Sequence, residues 1–139
     1  MRLNLALARA FTTRDYVQAQ RVRTRLIANF NRALEQVDAI VTPATGLVAP
    51  PIPKTALPGG DSDLTTLVEI MRFVTPANLT GLPAIAFPVG YNGSGLPVGM
   101  QIIGRAWQEA TLLRLALAAE QVVARAAPRL HHEALPERA

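Results

Sequence analysis

The chain has 139 residues, half of them hydrophobic, and its 14 Lys and Arg against 10 Asp and Glu give a formal net charge of +4. A mean hydropathy of +0.20 excludes a largely disordered chain, and the length suits one domain with a modest core. The absence of cysteine excludes disulfides, a thiol nucleophile and a thiolate metal site.

Membrane and nucleic-acid functions are not favoured by the composition. Arg, Pro, Gly or Gln interrupts every apolar run before it reaches the length of a transmembrane helix. Asn4 and Arg9 break the short N-terminal apolar stretch, so we predict no signal peptide and a cytoplasmic protein. Arginine supplies all of the positive charge except Lys54. This skew could indicate nucleic-acid binding, but a GC-rich coding sequence is the favoured explanation. With 5% aromatic residues, a base-stacking surface is not expected.

The first predicted helix starts at Thr12 as N-cap, with Asp15 completing a capping box, and runs to about Gln36. Its apolar stripe is expected to contain Val22, Leu26, Phe30, Ala33 and Val37. Another face carries Arg14, Gln18, Arg21, Arg25 and Arg32. We interpret that face as solvent-exposed, with contact to a missing domain or an acidic partner as the alternative.

A short buried strand is predicted at residues 38–42, closed by Pro43, and a proline- and glycine-rich loop follows to Gly60. Residues 61–63 can cap a second helix. Its expected buried face is Leu64, Leu67, Val68 and Met71. Pro76 should end or restart this helix.

Two strands, at residues 84–89 and 98–103, flank a turn with an Asn-Gly signal at Asn92, which predicts an antiparallel hairpin. Pro88 should form a bulge or a strand end. A third helix is predicted at residues 108–125, stopped by Pro128. Its expected stripe is Leu112, Leu113, Ala116, Ala119 and Val123.

These elements predict an α/β fold with a mixed, partly antiparallel sheet flanked by helices. Residues 1–126 form the folded portion, and residues 127–139 form a polar tail expected to be mobile. A sheet of about three strands is poor as a free-standing fold, so it fits better as one side of a larger sheet. Its exposed edge is also a candidate surface for oligomerisation.

No catalytic residue, metal site or cofactor site is predicted in this chain. The only serines are Ser62, assigned to a helix cap, and Ser94, which lies in the hairpin turn and not in the strand-to-helix turn of a nucleophile elbow. Lys54 is expected to be exposed, and would therefore stay protonated near neutral pH. The adjacent His131 and His132 lack a carboxylate constellation.

Two motifs nevertheless carry a specific signal: Asn-x-Thr-Gly-x-Pro-Ala at residues 78–84 and Gly-Leu-Pro-x-Gly-x-Gln-x-x-Gly at residues 95–104. Together they resemble the C-terminal signature of the amidase-signature hydrolases. Residues 38–45 resemble that family's Asp-x-x-x-x-Pro segment. Further matches are Tyr16, Ala19 and Arg23 on the preceding helix and Glu109, Leu112 and Leu113 on the following one. The resemblance spans about residues 15–121.

The resemblance implies the C-terminal part of a larger amidase-signature fold, which hydrolyses a carboxylic amide to an acid plus an amine or ammonia. The family's Ser–Ser–Lys centre lies N-terminal to this region and has no counterpart here, so the isolated chain is expected to be inactive. The implied partners are a small-molecule amide and the N-terminal catalytic part of the same protein. The candidates for pocket lining are Thr42 and Pro43, near the loop after the first strand, and Asn78, Thr80 and Gly81, in an expected turn. A structural role is the alternative for each.

One departure from the family pattern narrows the class of substrate that the resemblance implies. Members that take ammonia from glutamine for a transfer-RNA-linked substrate carry an acidic residue shortly before the Pro-Ala-Asn element, where this chain has Met71. This favours a general amidase with a less polar substrate over an amidotransferase A-subunit fragment. A non-catalytic interaction module or a truncated relic is the other alternative. Whether Met1 is a natural start is left open by the sequence.

Overall fold

The computed structural model describes residues 2–52, 54 and 63–123. In chain order they form α1 (Arg2–Ala8), α2 (Thr13–Leu34), β1 (Ile40–Pro43), α3 (Leu64–Met71), α4 (Val74–Thr80), β2 (Ala84–Tyr91), β3 (Pro97–Ile103) and α5 (Glu109–Val122). The predicted α/β arrangement is confirmed, and α1 is an addition to it. The predictions for residues 55–62, for the stop at Pro128, for His131 and His132, and for the tail lie outside the described residues.

The three described strands form one antiparallel sheet in the order β1-β3-β2. The predicted hairpin joins β2 and β3, and the Asn92 side chain accepts hydrogen bonds from the backbone N–H groups of Ser94 and Leu96 at 3.0 and 2.9 Å. The register shifts between Pro88 and Gly90. The bulge predicted at Pro88 is therefore confirmed, as expected for a residue with no N–H to donate.

Helix α5 covers one face of this sheet and forms the main core with it. Phe87, Ile102, Leu112 and Ala116 are buried together. The expected stripe is right at Leu112 and Ala116 but wrong at Leu113, which is 61% exposed. One helix resting on a small sheet buries a narrow side only, and Leu113 lies about 100° around the helix from Leu112.

Helix α2 begins with the predicted capping box. Thr12 donates its backbone N–H and its hydroxyl to the Asp15 carboxylate at 2.8 and 2.6 Å, and the Asp15 N–H donates to the Thr12 hydroxyl at 3.2 Å. The expected stripe is only partly right. Leu26 and Phe30 are half-buried, but Leu34 is the buried residue at 2% exposure.

The other members of the expected α2 stripe, Val22, Ala33 and Val37, are exposed. Their exposure follows from the packing of α2, whose contacts in the described chain are mainly with the short helix α4. The face with Arg14, Gln18, Arg21, Arg25 and Arg32 is exposed, as predicted.

Helix α3 is capped by Asp63, whose carboxylate accepts the N–H groups of Thr65 and Thr66 at 2.9 and 3.2 Å. The prediction that this helix has a buried face is wrong. Its apolar side chains are 36–66% exposed because no described element covers them; they are Leu64, Leu67, Val68 and Met71. The helix stops at Met71 and α4 starts at Val74. Pro76 explains the break, because it has no N–H for the Arg72 carbonyl four residues before it.

The loop after β1 is held tightly against the end of α3. Ala44 extends the pairing with β3 by donating its N–H to the Gly99 carbonyl at 2.9 Å, and the Gly46 N–H points to the Ile70 carbonyl at 3.4 Å. A Cβ atom on Gly46 would overlap the backbone oxygen of Glu69. Glycine is therefore required at position 46 for this close approach.

We expect Gly46→Ala to destabilise the chain by about 1–3 kcal/mol, because backbone must move to admit the methyl group. Gly93→Ala is the matched control, since its Cβ would meet nothing within 4 Å. Thermal unfolding followed by circular dichroism measures both. Equal midpoints for the two variants would contradict the close packing of the loop on α3.

The helix caps predict an acid-sensitive element of stability. The Thr12 side chain, and then its backbone N–H, lower the pKa of Asp15 below its ordinary value of 3.8. The Thr66 side chain, followed by the Thr66 N–H, lowers the pKa of Asp63 in the same way. A lowered folded-state pKa stabilises the fold above the unfolded value, and this contribution is lost as the pH falls through the folded value.

We therefore expect the chain to lose stability more steeply below pH 3.8 than Asp63→Asn does, because asparagine caps helices well without titrating. Midpoints of thermal unfolding, measured from neutral to strongly acid pH, give the two curves. Parallel curves would show that the Asp63 carboxylate contributes nothing through its charge.

Candidate functional site

The first candidate segment, Thr42 and Pro43, lies at the end of strand β1. The Thr42 hydroxyl donates a hydrogen bond to the Pro43 carbonyl at 3.1 Å. It accepts a hydrogen bond from the side-chain amide of Gln101 at 3.3 Å. The hydroxyl hydrogen of Thr42 is therefore used in a hydrogen bond within the protein. Thr42 is half-buried, and it lies directly opposite Gln101 in the β1–β3 pairing.

Gln101 is the polar residue at the centre of this region, and it was not among the sequence-predicted site residues. Its side chain is buried, and the same amide nitrogen that reaches Thr42 also donates to the backbone carbonyl of Phe73 at 3.0 Å. Phe73 is the N-cap of α4. One side chain thus connects β3, β1 and the break between α3 and α4. The available signal was the glutamine of the Gly-Leu-Pro-x-Gly-x-Gln-x-x-Gly motif, followed by the apolar pair Ile102 and Ile103.

Beside β1 lies a shallow cavity of about 170 Å³. Its walls are mostly apolar and come from the end of β1, the loop after it and the start of β3: Pro43, Thr45, Gly46, Leu47, Val48, Pro97, Val98 and Gly99. Pro43 is the member of the five candidates that lines it. Chemically, this cavity suits a small apolar group.

The second candidate segment, residues 78–81, was expected to be a turn, and this expectation is wrong. Asn78 and Thr80 lie in the last helical turn of α4, and Gly81 caps the helix with a left-handed φ of 72°. The Thr80 hydroxyl donates back to the Pro76 carbonyl at 2.9 Å. Asn78 is exposed. Glycine at position 81 lets the helix end and the chain reverse into β2.

Arg23 anchors the end of α4 to α2. Its Nε donates to the Leu79 carbonyl at 2.7 Å, which is one of the carbonyls that a helix leaves unpaired at its C-terminus. A guanidinium at this position also suits the negative end of the helix dipole. Arg23 was matched to the family only as part of its helix, and nothing in the sequence indicated this contact with α4.

The two candidate segments are thus held by different contacts. Thr42 is tied through Gln101 to the start of α4, while the segment at residues 78–81 is tied through Arg23 to α2. None of the side-chain hydrogen bonds among the described residues joins the two segments directly.

Ser94 and Lys54 are the serine and the lysine among the residues that the structure describes. Ser94 lies in the hairpin turn, and Lys54 is exposed, both as predicted. Within the described ranges, no group of three His, Cys, Asp or Glu side chains could hold a metal ion. None of the helices among these residues is long and apolar enough to cross a membrane.

Comparison with known proteins decides the family. The model of the Amidase family matches residues 1–113, most of the chain. The chain belongs to the amidase family. The predicted resemblance is therefore confirmed.

Relatives of this amidase-family chain are found among amide hydrolases and amidotransferases. It is 54% identical over 121 residues to the fatty acid amide hydrolase of Medicago truncatula, covering 87% of this chain and 20% of that protein. It is 39% identical over 116 residues to the A-subunit of the Myxococcus xanthus glutamyl-tRNA(Gln) amidotransferase, covering 84% and 23%. The chain therefore spans about a fifth of the length of the curated relatives it matches.

Solved structures give the same result for the fold. The A-subunit of the Thermotoga maritima glutamyl-tRNA(Gln) amidotransferase matches with a TM-score of 0.71 and 35% identity, over 86% of this chain and 25% of that one. A 6-aminohexanoate cyclic dimer hydrolase matches with a TM-score of 0.66 and 25% identity, over 84% and 26%. The amidase-family chain thus has the α/β architecture of one part of these larger proteins.

Proposed function

We propose that this chain is one wall of the active site of an amidase, an enzyme that hydrolyses a carboxylic amide to an acid plus an amine or ammonia. The observation that carries the proposal is the Amidase family match over residues 1–113. The Ser–Ser–Lys centre expected of the family comes from the rest of the protein. In that centre a serine attacks the amide carbonyl, and hydrogen-bond donors beside it stabilise the oxyanion.

The chain itself contributes the shape of the acyl pocket in this proposal. The lining residues are Thr42, Pro43, Asn78, Thr80 and Gly81. The Thr42 and Thr80 hydroxyls donate to backbone carbonyls in this structure, which favours internal hydrogen bonds over hydrogen bonds to a substrate. A wall with few free donors fits an apolar acyl group better than a polar one.

The catalytic part of the protein is the proposed partner of the exposed apolar side of α3. Contiguous exposed apolar side chains mark surfaces that pack against another structure, and Leu64, Leu67, Val68 and Met71 supply such a surface. A cytoplasmic location belongs to the same proposal.

The alternative functions differ in what the chain does alone. As a non-catalytic interaction module or a relic, it would associate through the outer edge of its sheet, and light scattering would find an oligomer. A fragment of an amidotransferase A-subunit is the less favoured interpretation, because identity is 54% to a fatty acid amide hydrolase and 39% to an amidotransferase. Met71 also stands where the amidotransferase pattern has an acidic residue.

We expect the purified 139-residue chain to show no hydrolysis of any amide, because it lacks both nucleophile and base. A series of acyl p-nitroanilides of increasing chain length measures this directly. Turnover that persists through a second, unrelated purification would overturn the assignment of the catalytic centre to the rest of the protein.

The positive test places the chain in a complete enzyme. We would replace the matching segment of the Medicago truncatula fatty acid amide hydrolase, 54% identical over 121 residues, with this one. We expect the chimera to hydrolyse a fatty acid amide, because the segment supplies a compatible wall. A folded chimera without activity, beside an active parent enzyme, would contradict the proposal.

The pocket assignment predicts a specific kinetic effect in this chimera. Asn78→Ala should raise KM by about tenfold, with a smaller change in kcat, because it removes a substrate contact remote from the reacting bond. Asn31→Ala, at an exposed position of α2, is the control and should match the parent chimera. Equal kinetics for the two variants would remove Asn78 from the pocket.

A further inference from the structure

Gln101 is buried, and its side-chain amide is hydrogen-bonded to both β1 and the start of α4. We propose that it is a positioning residue of the active site, whose carboxamide fixes the start of α4 against β1. It thereby sets the spacing between the two pocket segments, Thr42–Pro43 and residues 78–81. This inference rests on the proposed function.

Burial is the first argument. Gln101 is 7% exposed and is followed on β3 by Ile102 and Ile103, at 5% and 1%. A polar group at such a position is costly unless its hydrogen bonds are made, and an apolar side chain of similar size would avoid that cost. The hydrogen-bond partners of Gln101, and not the packing of strand β3, therefore explain why this position holds a glutamine.

The hydrogen bonds match the amide group atom by atom. The side-chain amide has two hydrogens and faces two acceptors, the Phe73 carbonyl at 3.0 Å and the Thr42 hydroxyl oxygen at 3.3 Å. The carbonyl can only accept. The hydroxyl must also accept, because its own hydrogen goes to the Pro43 carbonyl. A side chain must donate two hydrogens to satisfy both partners, so neither ionised glutamate nor methionine can replace it.

The consequence for the pocket follows from the dimensions of α4. Phe73 precedes the first residue of this helix, and Gly81 follows its last. Seven residues give a helix of about 10 Å, so a rotation of about 10° at Phe73 would move the Gly81 end by about 2 Å. Arg23 holds the other end through the Leu79 carbonyl. Misplacement of a positioning group by about 1 Å can cost an enzyme about a hundredfold in rate.

The test uses the active chimera and two matched variants. Gln101→Met removes both hydrogen bonds while keeping the length of the side chain. Arg105→Met is the control: Arg105 donates to the Leu34 and Val37 carbonyls at 2.8 and 2.9 Å and touches neither pocket segment. Both variants should lower Tm. We expect kcat/KM to fall by about tenfold or more in Gln101→Met alone, and to stay within about twofold in Arg105→Met.

Amide hydrogen exchange on the same variants separates positioning from general loosening. Gln101→Met should accelerate exchange in α4, whereas Arg105→Met should accelerate it at the end of α2. A folded Gln101→Met chimera with the kinetics of the parent would overturn the proposal. An inactive parent chimera would instead overturn the proposed function, and this inference with it, before any variant is made.

A milder pair of variants tests the positioning role of Gln101 if the Gln101→Met chimera does not fold. Thr42→Val removes one of the two acceptors while keeping the branched shape, and Thr42→Ser keeps the hydroxyl. We expect kcat/KM to fall further, and amide exchange in α4 to accelerate more, in Thr42→Val than in Thr42→Ser, because only serine keeps the acceptor for the Gln101 amide. Equal kinetics for the two variants would overturn the role of the hydrogen-bonded bridge.

Discussion

Strand β3 is the element on which the rest of the described structure depends, because it is hydrogen-bonded to a neighbour along both edges. Each helix that packs near the sheet is fixed through it or directly after it. Ile102 joins the core under α5, Gln101 reaches the start of α4, and Arg105, two residues beyond the strand, holds the end of α2. A short strand can contact elements on both sides of the sheet, because successive side chains point to opposite faces.

The same arrangement explains why so much apolar surface stays uncovered. The sheet is three strands wide, and α5 is the helix that covers its main apolar face. Helices α2, α4 and α5 therefore bury only one or two residues each, and α3 buries none. Exposure on this scale is typical of a surface that packs against another part of a protein. It agrees with a chain that spans about a fifth of its curated relatives.

Local chemistry made the backbone predictable from the sequence. The Thr12–Asp15 capping box, the Asn92 turn and the Pro88 bulge each depend on residues close together in the chain, and each was correctly expected. Burial was less predictable. The periodicity of α3 identified an apolar side correctly, but periodicity carries no information about whether another element covers that side. The errors at Val68 and Leu113 both have this origin.

The contacts of the candidate site were also hard to predict from the sequence. The motifs pointed to Thr42 and to the segment ending at Gly81, but the contacts of Gln101 and Arg23 that fix these segments join residues 28 to 59 positions apart. Such pairs have no local signature. Nor could the sequence show that the Thr42 hydroxyl donates to the Pro43 carbonyl, since this depends on the conformation of the side chain in the folded chain.

These committed hydroxyls bear on how an amidase of the proposed kind would select its substrate. A pocket wall that offers few hydrogen bonds discriminates by shape, and an extra methylene in such a pocket is worth only about 1–3 kcal/mol. The spacing of the wall then matters more than the identity of any single lining group. In the proposed enzyme that spacing is set at one end of α4 by Gln101 and at the other by Arg23. Neither side chain needs to touch the substrate, so selectivity would be sensitive to residues that lie behind the pocket.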